Sequence, residues 1–208
     1  MPHEQTRLAD QLTPAAIPEE QARRAGYYSI LAALLRESPR DEALAFVTQL
    51  DEGTASVQVE LVLALSSLSL AARHSSRDSL DREYHALFIG LGRGELVPYG
   101  SWYQTGFLME KPLGLLRTDL SRLGFERSEE VHEPEDHVAA LCEVMAMLIQ
   151  EAVPVDTQRQ FFNSHVGNWV DTFFDDLADA QSAVFYKSVA RLGKAFLSLE
   201  TRYLSLSD

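Results

Sequence analysis

Residues 134–154 read PEDHVAALCEVMAMLIQEAVP, and this stretch decides the fold. Val138, Leu141, Cys142, Met145, Leu148, Ile149 and Ala152 form one stripe at roughly the 3.6-residue helical period. A strand would alternate its apolar positions instead. Prolines bracket the element. Pro134 is expected at the first helical position, with Glu133 at or before the N-cap and Glu135 and Asp136 facing the positive end of the dipole. Pro154 bounds the other end. A charged histidine is disfavoured at a helix N-terminus, so His137 is expected to be neutral, donating to a neighbouring carboxylate or facing a ligand.

Outward from this helix the same period recurs. Downstream, Phe162, Val166, Trp169, Val170, Phe173, Phe174 and Leu177 form one stripe, and Phe185, Val189, Leu192, Phe196, Leu199 and Tyr203 form another. Upstream, helices are expected from Glu19 to Ser38, from Asp41 to Leu50, from about Ala55 to Arg73, from about Ser76 to Phe88, and around Leu113 to Leu123. The stretch GLGRGELVPYGS (90–101) carries four glycines and a proline and breaks the pattern. Residues 1–18, rich in proline and polar residues, are expected to be a mobile tail ahead of one domain at 19–208. The acidic, aperiodic segment 126–134 is the expected hinge. The architecture expected is a single all-α globular domain of about eight to ten helices.

Composition agrees. The 208 residues include 30 Leu and 23 Ala against 14 Val and 4 Ile, a set dominated by helix formers. A net charge of −13 without a Lys/Arg cluster argues against a nucleic-acid partner. Cys142 is the only cysteine, so there is no internal disulfide and no cysteine-rich zinc site. No run reaches the ~18–20 apolar residues of a membrane helix, and no signal-peptide pattern opens the chain. Cytoplasmic location without stable membrane insertion is the expectation.

Catalytic signatures fail on spacing. GLGRGE (90–95) lacks the third glycine of a dinucleotide loop and no strand precedes it; Gly193-Lys194 is followed by Ala195, so no phosphate loop exists. Tyr-Gly-Ser-Trp-Tyr around Ser101 is not a nucleophile elbow. HEPEDH (132–137) has metal-binding composition, but histidines five apart turn through about 500°, off a shared helix face, with Pro134 between them. A metal-dependent hydrolase built on this segment is therefore the alternative reading, and a helical regulatory adaptor a third. The favoured expectation is no catalytic residue, no metal and no cofactor. Residues 126–156 hold nine acidic residues and one arginine. They face a glycine-broken loop offering Leu96, Pro98, Tyr99, Trp102 and Tyr103. Carboxylates for a basic head and aromatics for an apolar body suit an amphipathic peptide.

Three further clusters carry a resemblance: Tyr84-x-x-Leu87-Phe88-x-Gly90, Pro98-Tyr99-Gly100-Ser101-x-Tyr103 and Glu133-Pro134-Glu135-Asp136-His137. With Phe162-x-x-His165-x-x-x-Trp169 and Phe185-Tyr186 downstream, the sequence from about 20 to 204 resembles the TorD/DmsD family of redox-enzyme maturation chaperones. The resemblance implies a non-enzymatic, all-helical, cytoplasmic chaperone. Its partner would be the catalytic-subunit precursor of a molybdoenzyme, of formate dehydrogenase or sulfoxide/amine-oxide reductase type. It would bind that precursor through a twin-arginine signal peptide, assist cofactor insertion and delay export until folding. Leu87, Phe88, Pro98, Tyr99, Gly100, Ser101, Glu133, Pro134, Asp136 and His137 are the binding positions it implies, beside Trp102 of the aromatic loop. Some members carry Trp at the Tyr99 position, and some form domain-swapped dimers, so a monomer or such a dimer is expected.

Overall fold

The structure, a computed structural model, describes residues 17–49, 59–126 and 132–206. Most of the expected tail, the centre of the expected hinge and the start expected for the third helix lie outside the described residues. Among those described there are ten α-helices and no strand: α1 (Glu19–Arg36), α2 (Asp41–Thr48), α3 (Val59–His74), α4 (Arg77–Tyr84), α5 (Gly100–Thr105), α6 (Lys111–Arg122), α7 (Val138–Gln150), α8 (Val155–His165), α9 (Val170–Asp179) and α10 (Tyr186–Leu206). Their apolar faces meet in one core.

The central pair is α1 against α7; α10 packs on α9 and α3, and α8 closes against α7. Helix α1 starts after Pro18, with Glu19 and Glu20 in its first turn and Arg36 in its last, matching the dipole at both ends. Ser76 and Ser79 form a reciprocal capping box that starts α4. The element then widens into a π-helical turn, His85–Ile89, where a continuous helix to Phe88 was expected.

Three expectations are corrected. Helix α7 begins at Val138, not Pro134, because His137 is the N-cap and its ring nitrogen accepts the Ala139 N–H. The broken stretch is followed at once by a short helix, α5, beginning at Gly100. The stripe from Phe162 to Leu177 is two helices, since Gly167 and Asn168 interrupt it and Trp169 caps α9. The Trp169 indole N–H donates to the His165 carbonyl at 2.8 Å, so this break is tied together by its own side chain.

Two ties reach across the chain. Arg24 on α1 is 6 % exposed and bonds both oxygens of Glu200 on α10, which is 1 % exposed. The start of α10 is held from a distance: the Glu83 carboxylate accepts the Val184, Phe185 and Tyr186 N–H groups, and Glu95 accepts those of Gln181 and Ser182.

Helix α10 meets α9 at Gly193, where a Cβ would lie 2.3 Å from Cζ of the buried Phe174. Gly193→Ala is therefore expected to lower stability by about 1–3 kcal/mol, the clash outweighing the roughly 1 kcal/mol gain in helix propensity. Urea unfolding reads this directly, and an unchanged or raised midpoint would contradict it.

Candidate functional site

The sequence candidates converge where two chain segments run antiparallel for one step. Tyr99 and His137 form an isolated bridge; the Gly100 N–H donates to the Asp136 carbonyl and the Val138 N–H to the Pro98 carbonyl, each at 2.9 Å. This pairing joins the start of α5 to the start of α7. The Asp136 carboxylate adds a third link, its Oδ2 accepting the Ser101 N–H at 2.7 Å. Ser101 Oγ in turn accepts the N–H of Met109, a residue held at φ 59°. A Cβ at Gly100 would sit 3.1 Å from Nε1 of the buried Trp169, closer than an ordinary contact.

Much of this is buried. Leu87, Pro98, Gly100, Ser101, Asp136 and His137 are inaccessible, whereas Phe88, Tyr99, Trp102, Glu133 and Pro134 are half-exposed. Leu87 lies in the core, and the Phe88 ring packs against those of Tyr84 and Tyr186 at 5.0 and 5.4 Å. Trp102 carries the Arg93 guanidinium over its ring at 4.7 Å. Asp136 is 3 % exposed, and its Oδ1 has no hydrogen-bond partner among the described residues.

Tyr99 and His137 meet edge to face at 5.1 Å. The Tyr99 hydroxyl donates to Glu133 Oε1 at 2.7 Å, and the same oxygen lies 4.0 Å from His137 Nε2. Burial raises the Tyr99 phenol well above its ordinary value, and the Glu133 carboxylate raises it further. His137 is pushed down to about 4, chiefly by burial and secondarily by Arg36, against the opposing pull of Glu133 and Asp136. Its ring is thus neutral at pH 7, and because Nδ1 accepts the Ala139 N–H, the proton sits on Nε2.

Outside the bridge lies a cleft of about 620 Å³ whose described lining includes Leu120, Phe125, Val144 and Met147. Four carboxylates, Glu126, Glu133, Glu135 and Glu143, share it with Arg36, Arg117 and His132. Arg36 bonds Glu143 through both Nε (3.2 Å) and Nη2 and reaches Glu133 at 3.6 Å. Arg117 holds Glu135 at 2.9 Å. Sequence reading found Glu133 and Pro134 but missed Arg36, Arg117 and Glu143. The arginines stand on other helices, so no local spacing announced them. Glu143 is the one charged residue within α7, and that was the available signal.

Metal-ligand geometry is absent among the described residues. His132 is exposed, and His137 is buried with Nδ1 already engaged. The Cys142 thiol is buried and pushed up to about 12 by that burial, which leaves it inert as a nucleophile. No helix among the described residues is long and apolar enough to cross a membrane.

The family profile described as nitrate reductase delta subunit matches residues 48–175, over half the chain and including both segments of the bridge. This chain belongs to the TorD family of redox-enzyme maturation chaperones. Among its TorD-family relatives, the chaperone protein TorD of Actinobacillus pleuropneumoniae serotype 7 (strain AP76) is 27% identical over 181 residues, covering 86% of this chain and 83% of the relative. The chaperone protein TorD of Vibrio atlanticus (strain LGP32) is 28% identical over 157 residues, covering 70% and 72%. A crystal structure described as a redox enzyme maturation protein from Archaeoglobus fulgidus matches with a TM-score of 0.54 at 21% identity, covering 84% of this chain and 93% of that one. That likeness places the TorD-family chain in the same helical fold.

Proposed function

We propose that this protein is a cytoplasmic, non-enzymatic chaperone that binds the precursor of a molybdenum-cofactor oxidoreductase by the twin-arginine head of its signal peptide. It holds the apoenzyme receptive to cofactor insertion and delays export until folding is complete. The observation that carries this reading is the cleft: four carboxylates beside an apolar wall of Leu120, Phe125, Val144 and Met147. Carboxylates recognise guanidinium groups through paired, charge-assisted hydrogen bonds, and the apolar wall suits the body of a signal peptide.

The eleven sequence candidates divide by role in this reading. Glu133 and Pro134 line the cleft, while Tyr99 anchors Glu133 by its hydroxyl. Asp136, His137, Gly100, Ser101 and Pro98 are buried and act by holding the two segments in register. Leu87, Phe88 and Trp102 stand behind or beside this frame and support it by packing.

Calorimetry with a synthetic twin-arginine signal peptide tests the assignment. Glu133→Gln and Glu143→Gln are each expected to weaken binding by about 1–3 kcal/mol, and binding should weaken with added salt. Unchanged affinity in both folded variants would reject the cleft. Co-purification from the native host would identify the client.

A further inference from the structure

Three of the cleft carboxylates, Glu133, Glu135 and Glu143, are already paired, and their partners include the chain's own arginines. Arg36, at the last turn of α1, meets Glu143 with two nitrogens and Glu133 with a third contact. Arg117, on α6, meets Glu135 with both Nε and Nη2, at 3.0 and 2.9 Å. So two guanidinium groups sit on the carboxylates of a cleft for which the proposed guest also brings two. From these juxtapositions we infer that Arg36 and Arg117 are specificity-determining residues: they keep the cleft shaped for guanidinium in the absence of a guest and yield their carboxylates to the guest's paired arginines. The inference rests on the reading above and adds how arginine is selected.

Three physical points support the exchange. The pairs are accessible rather than sealed: Arg36 and Glu143 side chains are 27% and 45% exposed, and Arg117 is 50% exposed over a Glu135 that is 17% exposed. Exposed ion pairs contribute little each, so giving one up costs little. The planar fork of a guanidinium fits a carboxylate in two-point contact, and an ammonium cannot reproduce that contact. A carboxylate set held by arginine therefore keeps a spacing suited to arginine and not to lysine. Finally, among the described residues the lining holds twice as many carboxylates as arginines. The surplus negative charge draws a dibasic guest in, and the resident pairs prevent the carboxylates from repelling one another apart beforehand.

The test uses the full chain and three synthetic peptides with a common Leu/Ala-rich apolar segment preceded by Arg-Arg, Lys-Lys or Gln-Gln. Affinity is read by calorimetry, and entry into the cleft by the ¹³C-methyl signal of Met147, which lines it. Arg36→Gln and Arg117→Gln are each expected to bind the Arg-Arg peptide about two- to fivefold more tightly than wild type, because a competing partner is gone. The gain for Lys-Lys should be larger, because the spacing set by the resident guanidinium groups is lost, so discrimination between the two peptides falls. Arg191→Gln, at an exposed position of α10, changes the net charge equally and should leave affinity near wild type. Should Arg36→Gln unfold by circular dichroism, Arg36→Lys keeps the charge without the fork and is expected to show a smaller gain of the same sign. Wild-type binding with weaker or unchanged affinity in the arginine variants overturns the exchange while leaving the binding reading standing. Equal gains from Arg191→Gln reduce the effect to net charge and also overturn it. Absence of any Arg-Arg binding to wild type, with Met147 unmoved, overturns both.

Discussion

Glu200→Ala is expected to destabilise the protein by about 3–5 kcal/mol, the cost of leaving a buried charge without its partner. Arg24 is surrounded on α1 by groups that serve it: Glu200 on both oxygens, Gln158 at 3.1 Å, Gln21 at 2.5 Å and the Tyr203 ring at 4.0 Å. Burial is the largest single influence and would depress its ionisation, but hydrogen bonding and charge attraction from Glu200, with smaller contributions from Tyr203 and Tyr28, together outweigh it and raise it. Removing the carboxylate leaves that desolvation uncompensated and also strips the Tyr28 hydroxyl of its acceptor. Both members of the pair are almost wholly buried, so solvent screening does not dilute the effect. Replacing Arg24 and Glu200 together by Met and Leu should recover much of the loss, because apolar groups of similar volume remove the charge problem altogether. Urea unfolding of the single and double variants decides it. A single-variant loss below about 1 kcal/mol would show that the pair is not desolvated as the structure has it.

Acidification is the second large effect. His137 takes a proton at about pH 6.5 when unfolded but only near pH 4 when folded. Between these values the unfolded chain binds a proton that the folded chain does not, so stability falls as pH drops through that window. The full difference corresponds to about 3 kcal/mol, absent above pH 6.5 and complete below pH 4. Carboxylates titrate at the lower end of the same range, so the informative quantity is the difference from His137→Asn. Asparagine keeps an oxygen for the Ala139 N–H and cannot take up the proton. Unfolding midpoints measured from pH 7.5 to 4 should converge or cross as wild type loses its advantage. Parallel curves would mean that the ring is not shielded from water.

How much of this was legible in the sequence varies with the range of the cause. Helix α7 was visible because its stripe is local, but its start was misplaced by four residues. Pro134 fits the first position of a helix, so propensity favoured it; what decided the boundary was the bridge between Tyr99 and His137, which needs residues 35 or more positions apart. The merged stripe at Phe162–Leu177 failed for a similar reason, since the apolar spacing continues across Gly167 and Asn168 while the backbone does not. The Tyr99, Glu133, Asp136 and His137 cluster was read from a motif, and the structure brings those residues together. The arginines of the cleft were invisible. Nothing near Arg36 marks it as the partner of residues about a hundred positions later, and only the packing of α1 on α7 brings them together.

The borrowed caps of α10 have a consequence for synthesis. Val184, Phe185 and Tyr186 find their acceptor in a residue made 101 to 103 positions earlier. In a chain emerging from the ribosome, Glu83 and Glu95 are made before the amide groups they accept. The approach to that helix is thus positioned by residues made before it. Docking of α10 also brings Arg24 the Glu200 carboxylate, so the same event that fixes this helix ties it to α1.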